Sequence, residues 1–185
     1  MLSKTVFILF AIGASCNSSF AATENWTLDH STLTYTVNHP LKTTGGTSTD
    51  AKGKGKCEKG RCEFLIAVPV KSFDSGDSNR DLHMLEVTRG GAYPMVVVKT
   101  SFGETALADQ SKVALTFNIQ FAGKEATYQN IPFEVQKTDA HSAHTQGTIN
   151  IKLSDFAITP PSLLTMSIKD DVPISVDAFW SLGAK

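Results

Sequence analysis

Apolar and polar residues alternate with a period of two along most of this chain. Leu33, Tyr35 and Val37 alternate with Thr32, Thr34, Thr36 and Asn38, and Phe64, Ile66 and Val68 alternate with Glu63, Leu65 and Ala67. Val113, Leu115, Phe117, Ile119 and Phe121 do the same with Ala114, Thr116, Asn118 and Gln120. Successive side chains of an extended strand point to opposite faces, so this pattern predicts strands with one apolar face. Further strands are predicted around Val96, Val98 and Phe102; Ile131, Phe133 and Val135; Ile149, Ile151 and Leu153; and Val172, Ile174, Val176 and Trp180. The Gly/Lys/Thr-rich stretch Thr43–Lys56 is expected to pair with the strand that follows it, which brings the total to about eight. Turn signals at Asp109-Gln110-Ser111, Ala122-Gly123-Lys124 and Pro160-Pro161 separate neighbouring strands. No helix-period stretch is long enough for crossover connections, so the strands are expected to run antiparallel.

The predicted class is therefore all-β, an eight-stranded antiparallel β-barrel, because closure removes the exposed edges that an open sheet would leave. A barrel of that size is either filled by its own side chains or holds one small ligand. The candidate interior positions are Leu33, Tyr35, Val37, Phe64, Ile66, Val96, Val98, Phe102, Phe117, Ile119, Phe133, Ile149, Ile151 and Val176. Tyr35, Phe64, Phe102, Phe117, Phe121 and Phe133 carry enough bulk to fill it, whereas Val37, Val68, Val96, Val98 and Gly147 leave room. Periodicity leaves both interiors open.

Composition agrees with the strands, with 20 Thr, 12 Val, 11 Phe and 10 Ile among 185 residues. A formal charge of −1 excludes a basic chain built to coat nucleic acid. At the N-terminus, Lys4 precedes an apolar run from Thr5 to Ala14, and Ser19-Phe20-Ala21 offers small residues at the positions signal peptidase reads. Residues 1–21 are therefore expected to be a cleaved signal peptide, residues 22–185 the barrel domain, and the periplasm the destination. Gly13-Ala14-Ser15-Cys16 keeps open a lipid-modified Cys16. Export also changes the reading of Cys57-Glu58-Lys59-Gly60-Arg61-Cys62. With Lys59-Gly60 as a two-residue turn, Cys57 and Cys62 stand directly opposed and are expected to form a disulfide; the alternative is two free thiols.

One segment is not strand-like. Asp74–Pro94 carries Asp74, Asp77, Arg80, Asp81, His83, Glu86 and Arg89, and a short helix is predicted near 77–89, capped by Asp77 or Ser78, with Leu82 and Leu85 on its apolar side. Its string Ser75-Gly76-Asp77-Ser78-Asn79-Arg80-Asp81-Leu82-His83-Met84, followed by Tyr93-Pro94, resembles the signature of the YceI-like family of exported bacterial proteins. Asp29-His30-Ser31 with His39, and Ser154-Asp155-Phe156 with Asp170-Asp171-Val172, resemble that family's flanking motifs in the same order. The resemblance implies a lipocalin-like barrel whose apolar cavity holds an amphiphile, such as an isoprenoid quinone or another long-chain lipid. A Gly-Val-Thr-type segment common in the family is here Phe121-Ala122-Gly123-Lys124-Glu125, which leaves the ligand's identity open.

Neither a cofactor nor a metal is expected beyond such a bound lipid. Transient membrane contact and a homodimer stay open. Asp29, His30, Arg80, Asp81 and His83 are expected to fasten the 74–94 segment to the barrel rim, with Arg80 as hub between Asp77 and Asp81. Two rival readings remain: a hydrolase using His30, Ser31, Asp81 and His83, and an interaction barrel with a filled interior. His141 and His144 alternate on an extended segment, so their rings would face opposite sides and make a poor metal pair.

Overall fold

The computed structural model describes residues 23–107, 111–163 and 165–183. The expected signal peptide and Cys16 lie outside the described residues. In chain order come β1 (Glu24–His39), β2 (Lys42–Ser48), β3 (Lys52–Glu58), β4 (Arg61–Pro69), helix α1 (Ser78–Val87), β5 (Met95–Gly103), β6 (Ser111–Phe121), β7 (Lys124–Lys137) and β8 (Ser142–Lys152). A small hairpin, β9 (Ser162–Leu163) and β10 (Met166–Ser167), precedes β11 (Asp171–Leu182). The main sheet runs β11-β8-β7-β6-β5-β4-β3-β1-β2, and β11 also pairs with β1, which closes it.

The closed antiparallel barrel has eight staves because β2 and β3 share one of them. Glu24–Thr27 of β1 pairs with β3, and Leu33–His39 of β1 pairs with β2. The stretch expected as one strand over Thr43–Lys56 is thus broken at Thr49-Asp50-Ala51. The break has local causes. Thr47 and Asp74 exchange two backbone hydrogen bonds of 2.8 and 2.9 Å, and Ser48 Oγ is held by Ser72 Oγ at 2.6 Å.

β1 contains a bulge between Leu28 and His30, with Asp29 as the extra residue. The phase of the alternation shifts there, so Trp26 and Leu28 face inward before the bulge and Ser31, Leu33, Tyr35 and Val37 face inward after it. Asp29 and His30 are consecutive and both exposed on the outer wall.

At the β3–β4 turn, Lys59 and Gly60 both have positive φ (53° and 80°), the requirement of the type I′ turn that matches strand twist. Cys57 and Cys62 are directly opposed, with Cα atoms 4.0 Å apart, and are joined by a disulfide. Its closed loop is short, so reduction is expected to lower stability by roughly 2 kcal/mol. Thermal melts with and without reductant should show a fold that survives at a lower melting temperature. Next to this turn, a side chain on Gly55 would collide with the Phe64 ring, which lies across β3. Phe64 stacks on Phe102 (5.5 Å) and meets Trp180 edge-on (4.9 Å), and together with Trp26 these rings pack one end of the barrel.

Helix α1 starts where Asp77 Oδ1 accepts from the backbone N–H groups of Asn79 (3.0 Å) and Arg80 (3.2 Å). Those donors, the Arg80 N–H foremost, hold the Asp77 carboxyl below its ordinary pKa. The apolar side expected from Leu82 and Leu85 is only half right. Leu85 reaches toward Gly90, whereas Leu82 points to solvent. Arg80, His83, Met84 and Val87 recur at helical spacing, and it is this face that turns to the barrel interior.

Candidate functional site

The barrel encloses a cavity of about 670 Å³, walled by side chains from β1, β2, β4, β5, β6, β7, β8 and β11. All fourteen positions expected to face the interior line it. Leu33, Tyr35, Val37, Ile66, Val96, Val98, Phe102 and Val176 are only half-buried although they lie inside the barrel, because they face open space rather than packed neighbours. The filled interior considered above is therefore not the one this chain makes. Its bulk is drawn to the walls, where Phe117 packs on Phe133 at 5.0 Å as Phe64 does on Phe102.

The cavity is closed at one end and open at the other. Trp26 (2% exposed), Trp180 (6%), Ala143 and Ala178 line the closed end, none of them in the expected cavity set. Trp26 was hidden by the bulge after Leu28, and the two alanines look like spacers in sequence. At the opposite end the lining includes Leu41, 62% exposed, with Lys42, Arg80, His83 and Pro161, so this is the mouth. His39, Lys42, Arg80 and His83 are the basic residues of the lining, and no carboxylate belongs to it among the described residues.

Arg80 works differently from expectation. Its Nε donates to Ser75 Oγ (3.3 Å) and its Nη2 to the Ser75 carbonyl (2.8 Å), while Asp81 Oδ1 accepts from the Ser75 N–H (3.1 Å). The hub of the segment is thus Ser75, held by Arg80 and Asp81 together, rather than Arg80 between two carboxylates. Asp77 is already occupied as the helix cap. His39 Nδ1 accepts from the Leu41 N–H (3.1 Å), which makes Nε2 the protonated nitrogen of a neutral ring and a donor to the Met166 carbonyl (3.0 Å). It ties the β1–β2 turn to the small β9–β10 hairpin across the mouth. Burial pushes the Tyr35 phenol above its ordinary pKa, with the Asp81 charge adding to the effect.

The closed antiparallel barrel carries its helix-bearing segment at the mouth. Residues 26–179 match the YceI-like domain. The chain belongs to the YceI-like family. Among solved structures it is similar to a polyisoprenoid binding domain from Saccharophagus degradans implicated in plant cell wall breakdown, at 16% identity over 85% of this chain and 98% of that one, with a TM-score of 0.70. It is also similar to BcnA of Burkholderia cenocepacia, at 19% identity over 80% of this chain and 95% of that one, with a TM-score of 0.67. The Campylobacter jejuni YceI protein is similar at 14% identity over 100% of both chains, with a TM-score of 0.52. No curated protein matches the sequence.

The remaining YceI-like motif residues divide between the mouth end and the outer wall. Asp170 accepts from the Ser154 N–H (2.8 Å) and from Ser154 Oγ (2.6 Å), which hold its carboxyl below the ordinary range, the hydroxyl contributing most. The Tyr128 hydroxyl donates to Asp155 Oδ2 (2.8 Å) and accepts from the Lys152 N–H (3.2 Å), and burial pushes its pKa up to about 12. These bonds fix the 3-10 turn Leu153–Phe156 beside the mouth.

Asp29 and His30 do not reach the 74–94 segment, contrary to expectation, because the β1 bulge turns both outward. Asp29 accepts from Ser181 Oγ (2.6 Å), and His30 stacks on Phe179 at 4.4 Å. His144 stacks on the same ring at 4.1 Å and bonds Asp177 at 2.9 Å. The Asp177 carboxyl is held below its ordinary pKa, first by Gln146 and then by His144. The hydrolase reading needed His30, Ser31, Asp81 and His83 together. The fold instead places them on the outer wall, the inner wall, the Ser75 loop and the mouth. Among the described residues, no three His, Cys, Asp or Glu side chains gather as metal ligands.

Proposed function

We propose that this chain is an exported periplasmic protein that holds one long-chain amphiphile, an isoprenoid such as a polyprenyl quinone or a fatty-acid-derived lipid, for lipid transport, storage or stress response. The observation that carries this reading is the cavity of about 670 Å³ with its aliphatic and aromatic wall. Pockets of a few hundred to about 1,000 Å³ suit small ligands, and apolar burial at about 25 cal/mol per Å² retains a long chain without a strong polar grip. Likeness to a protein described as a polyisoprenoid binding domain supports the same class of ligand. The leader pattern of residues 1–21 supports export, and the Cys57–Cys62 disulfide suits an oxidising compartment.

The test is mass spectrometry of a solvent extract of the purified native protein. A long-chain apolar molecule in near-stoichiometric amount is expected. Extracts free of lipid, together with a fluorescent prenyl probe that no quinone displaces, would overturn the reading.

A further inference from the structure

Three buried polar side-chain atoms find no hydrogen-bond partner among the described residues: Trp26 Nε1, Ser31 Oγ and Thr100 Oγ1. All three residues line the cavity, and none is at its mouth. Register places them on the walls around the closed end. Trp26 pairs with Gly55, Gly55 with Phe64, and Phe64 with Thr100, so one row of neighbours crosses β1, β3, β4 and β5. Ser31 pairs with Ala178, which pairs in turn with Thr145. The other polar groups of this region are already satisfied. Trp180 Nε1 donates to Thr145 Oγ1 (3.2 Å), and that hydroxyl donates to the Ala178 carbonyl (3.4 Å).

An orphaned buried donor is costly, and native proteins rarely keep several in one place without a partner for them. The indole N–H can only donate, and each hydroxyl has a proton to give, so the three together call for hydrogen-bond acceptors. A buried anion would also accept, but the cationic side chains of the wall, Lys42 and Arg80, are at the mouth. A carboxylate or phosphate at the closed end would have no countercharge inside the cavity, because Lys54, Lys56 and Lys99, which border a neighbouring groove, are exposed and do not line the cavity.

We infer that the closed end of the cavity is a recognition site for a neutral oxygen acceptor, a carbonyl of ketone, quinone, amide or ester type. The ligand enters head first, with its hydrocarbon tail running back to the mouth. Trp26, Ser31 and Thr100 are the donors. This inference rests on the lipid-binding reading and adds the head-group class and the orientation to it.

The experiment compares farnesylacetone, a prenyl ketone, with the hydrocarbon in which its carbonyl is replaced by a methylene. Both displace a fluorescent prenyl probe from delipidated full-length protein. In a purely apolar cavity the hydrocarbon binds tighter, because the ketone loses its hydration without compensation. Here the ketone is expected to bind about tenfold tighter than the hydrocarbon. Trp26→Phe, Ser31→Ala and Thr100→Val are each expected to narrow that ratio without weakening hydrocarbon binding. Thermal stability should hold in Ser31→Ala and Thr100→Val, which remove an unpaired buried polar atom at little change of volume, whereas Trp26→Phe also removes part of a packed ring and should melt lower while staying folded. A hydrocarbon that binds as tightly as the ketone, or a ratio unchanged in all three variants, would overturn the inference. Failure of both compounds to bind would instead overturn the lipid-binding reading beneath it.

Discussion

Replacing Val98 by Trp is expected to abolish retention of a long apolar chain while leaving the barrel folded. Val98 lines the cavity from β5, between Ile66 on β4 and Ile119 on β6. It is half-buried because it faces open space, so an indole there occupies the cavity instead of displacing packed neighbours. The added ring obstructs passage between the mouth and the closed end. Each methylene kept out of the cavity forfeits about 0.8 kcal/mol, so excluding only four costs roughly 3 kcal/mol, or more than a hundredfold in affinity. Val98→Ala, which widens the same place, should keep binding. Probe displacement reads the affinity, and circular dichroism melts confirm that both variants fold. Undiminished binding by Val98→Trp would mean that the chain does not lie in this cavity.

The strands were legible because one wet face and one apolar face impose a period of two, and that period survives in β4, β6, β8 and β11. It fails where the backbone inserts a residue. The bulge at Asp29 hid Trp26 and Leu28 from the interior set, and it sent Asp29 and His30 to the outer wall although His39 of the same motif serves the mouth. The break between β2 and β3 was equally hidden, since it depends on Thr47 bonding to Asp74, a residue far along the chain.

Whether the interior is filled or open could not be read from the same fourteen residues. The space inside a barrel depends on strand tilt and stagger, which fix how far opposite walls stand apart. The charged segment shows a third kind of failure. Sequence proximity suggested Arg80 between Asp77 and Asp81, but helix formation commits Asp77 to the backbone N–H groups of the first turn, leaving the Arg80 guanidinium to the Ser75 carbonyl and hydroxyl.

Phe156→Ala should be the most damaging single truncation in the motif that ends at that residue, with an expected loss of about 3–5 kcal/mol. Phe156 is fully buried, at 0% exposure, and packs against Phe121 (5.4 Å) and Tyr128 (6.5 Å). Its carbonyl accepts from Arg89 Nη2 at 2.8 Å, which ties the turn after α1 to the turn after β8. The next residue, Ala157, adopts a left-handed φ of 52°, so the backbone around the ring is tightly constrained and has little freedom to collapse into the void. The lost ring therefore leaves a cavity where the β6–β7 hairpin, the 153–156 turn and the helix-bearing segment are joined. For a domain of this size each kcal/mol is worth about 2–4 °C, so the melting temperature should fall by roughly 6–20 °C. Phe156→Leu should recover more than half of the loss, because it refills most of the volume. Arg89→Ala should lose less, since it removes one bond and leaves the packing intact. A Phe156→Ala melt within about 2 °C of the parent would show that this turn is not part of the core that closes the mouth end.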